Sequence, residues 1–209
     1  MISYACTHRR LIVMRRYVER LLKNDMIRTK EDLKEYIAAD RKVQNMQYPF
    51  WAGLTNGENA IIRRYMTTLR KAEYHKNKKS HLNKLFYCFY FFRYRKMCVK
   101  YNLHIALNTV GKGVHIVHLG YVKLSAHTHI GNNCTLLPMV LFGRKSPDIA
   151  NPNIYVGDNC YISTGVTVLG PVRIGNNVTV AAGAVVVKDI PDNAVVAGVP
   201  AEVIKYKIL

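Results

Sequence analysis

An aliphatic or aromatic residue returns every six positions through the second half of this chain: Val110, Ile116 and Val122, then Ile130, Leu136 and Phe142, then Val156, Ile162, Val168, Ile174, Val180 and Val186. A period of six suits neither a helix, whose apolar stripe returns at three and four, nor one long flat strand. It suits a coil of short strands joined by corners. Four positions after each of these residues comes a small or β-branched one, as at Val114, Gly120, Ala126, Cys134, Val140, Cys160, Val166, Val172, Val178 and Ala184. Each repeat therefore offers two residues to an interior. Between them stand corner formers, as in Ile130-Gly-Asn-Asn-Cys134, Val156-Gly-Asp-Asn-Cys160 and Ile174-Gly-Asn-Asn-Val178, where Gly and Asn accept the positive φ of a sharp turn. Stacked coils pair their backbones and bury a column that no single repeat could bury alone. Cys134 and Cys160 fall on this ladder and read as small core residues rather than nucleophiles.

The period breaks twice. Eight residues instead of six separate Val122 from Ile130, and fourteen separate Phe142 from Val156. Insertions in a solenoid go outward, and the longer one, GRKSPDIANPNIY from Gly143 to Tyr155, has the prolines and polar content of a protruding loop.

The first half is of another kind. RRLIVMRRYVERLLKN spaces its apolar residues by three and four, and Thr29 precedes KEDLKEYIAADRKV as a helix N-cap with Asp32 three residues on. Pro49 and the stretch Gly53 to Gly57 interrupt the pattern, which resumes over Glu58 to Lys79 and His81 to Tyr101. The expected organisation is a basic helical domain over 1–101 and a β-helix over 102–209. Of the formal charge of +18, about +15 lies in the first hundred residues. That suits an anionic partner, a nucleic acid or membrane surface among them, but no zinc-finger, helix-turn-helix or RNP-like pattern accompanies it, so nucleic-acid binding is not expected. The five cysteines form no CxxC pair, which fits a reducing cytoplasm rather than a disulfide framework. The most apolar run, Leu85 to Phe92, is far shorter than the ~20 residues of a spanning helix. It is expected to pack against the second domain rather than to lie on a membrane.

With repeats, corners and interruptions in place, the chain resembles the hexapeptide-repeat acyltransferases. Within them it is most similar to serine acetyltransferases and to O-acetyltransferases of bacterial surface polysaccharide. The matching pieces are Gly111-Lys-Gly-Val-His-Ile-Val-His118, the two-residue expansion before Ile130, the loop after Gly143 and the closing Ala197-Gly-Val-Pro-Ala201. The resemblance implies a left-handed parallel β-helix behind the helical domain, a homotrimer or dimer of trimers with sites between subunits, and acetyl transfer from acetyl-CoA to a hydroxyl, without a metal.

Such a transfer needs a base near neutral pKa, and histidine supplies one. By residue type His115, His118, His127 and His129 are equal candidates; the resemblance selects His118. It further implies acceptor contacts from Asn153, Arg144 and His115, backbone donors for the developing oxyanion around Gly143, and a coenzyme A groove along Thr164 and Ala182. Lys188, Lys205 and Arg173 are implied as candidates for the nucleotide phosphates. Two positions depart from the serine acetyltransferase pattern. Leu103 stands where the acid supporting the base is expected, so another group must orient His118. Asn153 stands where a second histidine is expected, which loosens serine as acceptor and brings in a sugar hydroxyl. Two other readings stay open: a non-catalytic scaffold, and a γ-carbonic-anhydrase-like metal enzyme, whose ligand spacing His115-x-x-His118 and His127-x-His129 do not reproduce.

Overall fold

The computed structural model describes residues 26–45 and 57–208. The helix expected over 9–24 and the breaks at Pro49 and Gly53 lie outside the described residues. Three helices come first: α1 (Lys30–Asn45), α2 (Glu58–Lys76) and α3 (His81–Tyr101). The cap of α1 is reciprocal. Asp32 N–H donates to the Thr29 hydroxyl at 3.0 Å, and the Asp32 carboxylate accepts from the N–H groups of Arg28 and Thr29 at 2.9 and 2.8 Å. Those backbone donors hold the Asp32 carboxyl below its ordinary range.

After α3, Asn102 takes a left-handed conformation and the chain turns into the first strand. From there it winds through five coils with three faces. The first face stacks Leu103–Ile105, Val122–Leu124, Val140–Arg144, Thr167–Gly170 and Val185–Val186. The second stacks Thr128–Ile130, Ile154–Val156 and Val172–Ile174. The third stacks His115–Ile116, Thr135–Leu136, Tyr161–Ile162, Thr179–Val180 and Ala194–Ala197, and Glu202–Tyr206 closes it antiparallel. Every other pairing is parallel, Val122 with Val140 and Thr167 with Val185 lying three repeats apart. This is the left-handed β-helix expected.

The edge between the second and third faces explains the Gly-Asn corners. Asn133, Asn159, Asn177 and Asn193 all have positive φ there, and Gly113 fills the same place in the first coil. One residue earlier in each coil a side chain ties its corner to the next. Lys112 N–H donates to Asn132 Oδ1 at 3.0 Å, Asn132 N–H to Asp158 Oδ1 at 2.6 Å, Asp158 N–H to Asn176 Oδ1 at 2.9 Å, and Asn176 N–H to Asp192 Oδ1 at 2.7 Å. Just inside, Cys134 and Cys160 are buried and donate to the Gly157 and Gly175 carbonyls. The Cys160 contact and burial push the Cys134 thiol up, which suits its reading as a core residue.

Register corrects one expectation. Val122 pairs with Val140 and Leu124 with Phe142, so Leu124, not Val122, continues the six-residue series. The two-residue expansion therefore lies between Ile116 and Leu124, one corner earlier than the spacing suggested. Gly120 and Ala126 are not inward residues; Val122 and Thr128 are the buried ones at those steps.

A buried Arg70 joins the helices to the first coil. All five of its N–H donors are used: Nε and Nη2 on Asp40 at 2.8 and 3.4 Å, Nη1 on Glu73 at 3.1 Å and the Val110 carbonyl at 2.8 Å, and Nη2 on the Gly111 carbonyl at 2.6 Å. Asp40 also accepts from Gly113 N–H, and Glu73 from Asn108 N–H. Tyr65 and Tyr94 donate to the Leu103 and Ile105 carbonyls, and one core runs from Ile62 of α2 to Ala201. The run Leu85 to Phe92 only partly follows its expectation. Phe91 packs on this core, while Leu85, Phe86, Phe89 and Phe92 face outward.

Candidate active site

His118 sits in the expanded corner between the third face of the first coil and the first face of the second. The extra residues let the chain swing wide before Val122, and the imidazole stands half-exposed. Its partner comes from the helices. Glu58, the first residue of α2, places Oε2 3.2 Å from His118 Nδ1, and its Oε1 accepts the Leu119 N–H. Accepting from the backbone next door fixes the carboxylate, and the carboxylate fixes the ring. With the proton on Nδ1 pointing at Glu58, Nε2 carries the free lone pair.

Glu58 is the candidate site residue that sequence reasoning missed. Sixty positions separate it from His118, and an acid in the first turn of a helix is ordinary for its effect on the helix dipole. No spacing marks it. The carboxylate beside His118 thus comes from the helices and not from position 103, where Leu103 is fully buried in the first face.

Below His118 the same edge continues through the stack. Met139 N–H donates to the Tyr121 carbonyl at 2.6 Å, the Thr164 hydroxyl and Gly165 N–H donate to the Pro138 carbonyl at 2.8 and 3.3 Å, and Gly183 N–H donates to the Thr164 carbonyl at 2.9 Å. Thr164 and Ala182 thus lie on the edge headed by His118, one and two steps beyond Pro138. The edge is shallow and open: a Cβ added at Gly183 would touch nothing within 4 Å. Successive coils rise by about 4.8 Å, so the edge from His118 to Ala182 extends about 15 Å.

The other candidates fall elsewhere. Gly143 and Arg144 end the first-face strand of the third coil, and Asn153 leads into its second face, with the inserted loop between them. Arg144 donates to the Pro147 carbonyl at 3.4 Å, and Asn153 lends its carbonyl to Val172 N–H. Lys188 follows the first-face strand of the fifth coil, on this same first-to-second edge, where Asp189 accepts from Arg173 N–H. None of them shares an edge with His118 within one chain. Lys205 is exposed on the closing strand, paired with Val195 of the third face.

The remaining histidines have other surroundings. His115 is on the third face, half-buried, its proton affinity lowered by burial and then by His118. His129 stacks on Tyr155 with ring centroids 5.1 Å apart and is lowered by burial and then by His127. Among the described residues no three His, Cys, Asp or Glu side chains are gathered as a metal ion would need.

Comparison with known proteins places these features. The profile of the bacterial transferase hexapeptide family (six repeats) matches residues 153–188. Serine acetyltransferase of Mycobacterium tuberculosis is 37% identical over 95 residues, 46% of this chain and 42% of its own. Serine acetyltransferase 4 of Arabidopsis thaliana is 33% identical over 97 residues, 46% of this chain and 27% of its own. The chain thus matches less than half the length of these relatives. The soybean serine acetyltransferase apoenzyme superposes with a TM-score of 0.68 at 23% identity, covering 82% of this chain and 69% of that one. A serine acetyltransferase in complex with CoA gives 0.63 at 19%, covering 92% and 76%. Residues 153–188 are therefore hexapeptide repeats of the bacterial transferase type, and the chain folds as the serine acetyltransferases do.

Proposed function

We propose that this chain is an acetyl-CoA-dependent O-acetyltransferase with His118 as its general base. The observation that carries the reading is the Glu58–His118 pair at the head of an open edge of small residues. His118 Nε2 takes the proton of the acceptor hydroxyl as that oxygen attacks the thioester carbonyl, then passes the proton to the departing thiolate. Glu58 holds the ring in the productive tautomer and stabilises the imidazolium between the two transfers. The backbone along Thr164 and Ala182 is the proposed track for the pantetheine arm, since small residues allow close approach, and Lys205 of the closing strand is a proposed contact for the nucleotide phosphates.

Arg144, Asn153, Gly143 and Lys188 enter the site from a second copy. They line the first-to-second edge, while His118 heads the third-to-first edge. A closed threefold ring brings each subunit's one edge against its neighbour's other. This supports a homotrimer, with Gly143 donating to the oxyanion and Asn153 and Arg144 binding the acceptor across the interface; a dimer of trimers would repeat that unit. Domains over 1–101 and 102–209 belong to the same reading, as does a cytoplasmic setting where acetyl-CoA is at hand. Asn153 binds a hydroxyl or carboxylate without charge, so the acceptor is L-serine, the first step toward cysteine, or a sugar of a surface-polysaccharide precursor.

The test is release of free thiol from acetyl-CoA with L-serine or sugar precursors as acceptor. Loss of the rate in His118→Ala on the preferred acceptor supports the base. An unchanged rate removes it. If no acceptor releases thiol and calorimetry detects no coenzyme A binding, a non-catalytic scaffold replaces the enzyme reading.

A further inference from the structure

Among the described residues, helix α3 leaves an apolar stripe that packs on no other element. Leu82, Leu85, Phe89, Phe92 and Val99 follow one another at heptad spacing and are 62%, 68%, 60%, 73% and 70% exposed. The opposite side of the same helix packs through Phe91, Tyr94 and Cys98 on the core, so the stripe is not the side that holds the fold together. Large apolar residues in such a contiguous exposed patch mark a binding face.

What covers it is argued from charge. Residues 81–101 contain no Asp or Glu but carry Lys84, Arg93, Arg95, Lys96 and Lys100. Were a second α3 to lie along the stripe, Arg93, Arg95 and Lys100 would fall at the flanking positions where paired helices place opposite charges, and Lys96 would sit in the seam itself. Like charge would face like charge along the seam. An anionic surface meets no such conflict. Beside the stripe, between α2 and α3, lies a cavity of about 710 Å³ lined by Arg41, Arg63, Arg64, Lys71 and Arg93 together with Phe89 and Tyr90. Phe89 belongs to both features, so the apolar stripe and the cationic cavity form one continuous amphiphilic face.

We propose that this face docks the protein on an anionic phospholipid bilayer, with Leu85, Phe89 and Phe92 entering the headgroup boundary and the cations of the cavity holding lipid phosphates. The docking is peripheral: no described helix is long and apolar enough to cross a membrane. It stands independently of the acetyl-transfer reading, because none of these side chains belongs to the His118 edge.

The full chain is floated with vesicles of phosphatidylcholine, with and without phosphatidylglycerol, at low and high salt. Binding is expected only with phosphatidylglycerol and is expected to weaken as salt rises. Leu85→Ser/Phe89→Ser/Phe92→Ser, all exposed, is expected to lower partitioning more than about tenfold. Arg41→Ser/Arg93→Ser is expected to lower it about fivefold for each cation removed. Circular dichroism and melting temperature identify any variant that has lost its fold, in which case the other variant decides. Equal binding to neutral vesicles, or unchanged binding by the folded variants, overturns the proposal. So does wild type that ignores vesicles while the Ser variant alters sedimentation, since the stripe is then covered by a second copy.

Discussion

At the scale of single residues, two side chains of the helical half reach the β-helix, Glu58 at the proposed base and Arg70 at the first coil. Glu58 touches His118 at Nδ1 and the neighbouring Leu119 N–H, so replacing it with Gln keeps a hydrogen-bond acceptor and removes the charge that favours an imidazolium. Glu58→Gln is expected to lower kcat by about 10- to 100-fold with KM nearly unchanged, whereas His118→Ala removes the proposed base and is expected to lower it by about 100-fold or more. Steady-state thiol release separates the two. A shift in KM alone would move Glu58 from positioning to substrate binding. Arg70 is the structural counterpart. Its removal strands Asp40 and Glu73, both buried, and takes the donors from two carbonyls of the first coil. Arg70→Met is expected to cost about 3–5 kcal/mol in urea unfolding. A loss under about 1 kcal/mol would mean that Asp40 and Glu73 find other partners or take up protons.

Elements show where the sequence was legible and where it stopped. Gly-Asn corners and six-residue runs announced the coil, because only that geometry turns such a sequence into one buried column. The Thr29–Asp32 cap was legible too, since both partners sit within a single turn. The expansion was visible in length but misplaced by one corner. Val122 and Leu124 are both aliphatic and both fully buried, so a six-residue count accepts either; only pairing with Val140 and Phe142 decides. Glu58 and the outward face of α3 were illegible for a related reason, as both depend on how helices sit on a coil distant in sequence. The corner geometry makes its own prediction. A Cβ at Gly157 would lie 2.8 Å from the Gly175 carbonyl carbon of the coil below. Gly157→Ala is expected to force the stack apart locally at about 1–3 kcal/mol. Thr29→Ala, at a solvent-facing cap, is expected to cost only about 1 kcal/mol. Thermal melting of the two side by side tests the order.

For the whole molecule the packing of helices and coils has a consequence in acid. His104, His115 and His129 all sit where burial lowers their proton affinity, reinforced by Lys123, by His118 and by His127 respectively. The unfolded chain binds protons at histidine near pH 6.5, before the folded chain does at these sites. Where the unfolded state holds more protons, stability rises with pH, so it is complete above about 6.5 and declines as pH falls toward the depressed folded values. Glu73, raised by burial, works in the opposite sense, one group against three. Asp32 acts in a separate window. Its lowered carboxyl stabilises above the ordinary aspartate value and is lost only in stronger acid. The melting temperature is therefore expected to drop between pH 7 and pH 5, before the lowered carboxyl of Asp32 titrates. His115→Asn/His129→Asn removes two of the three groups and is expected to flatten that drop while leaving the pH 7 value the less affected. An equal slope in wild type and variant would place the acid sensitivity outside the described histidines.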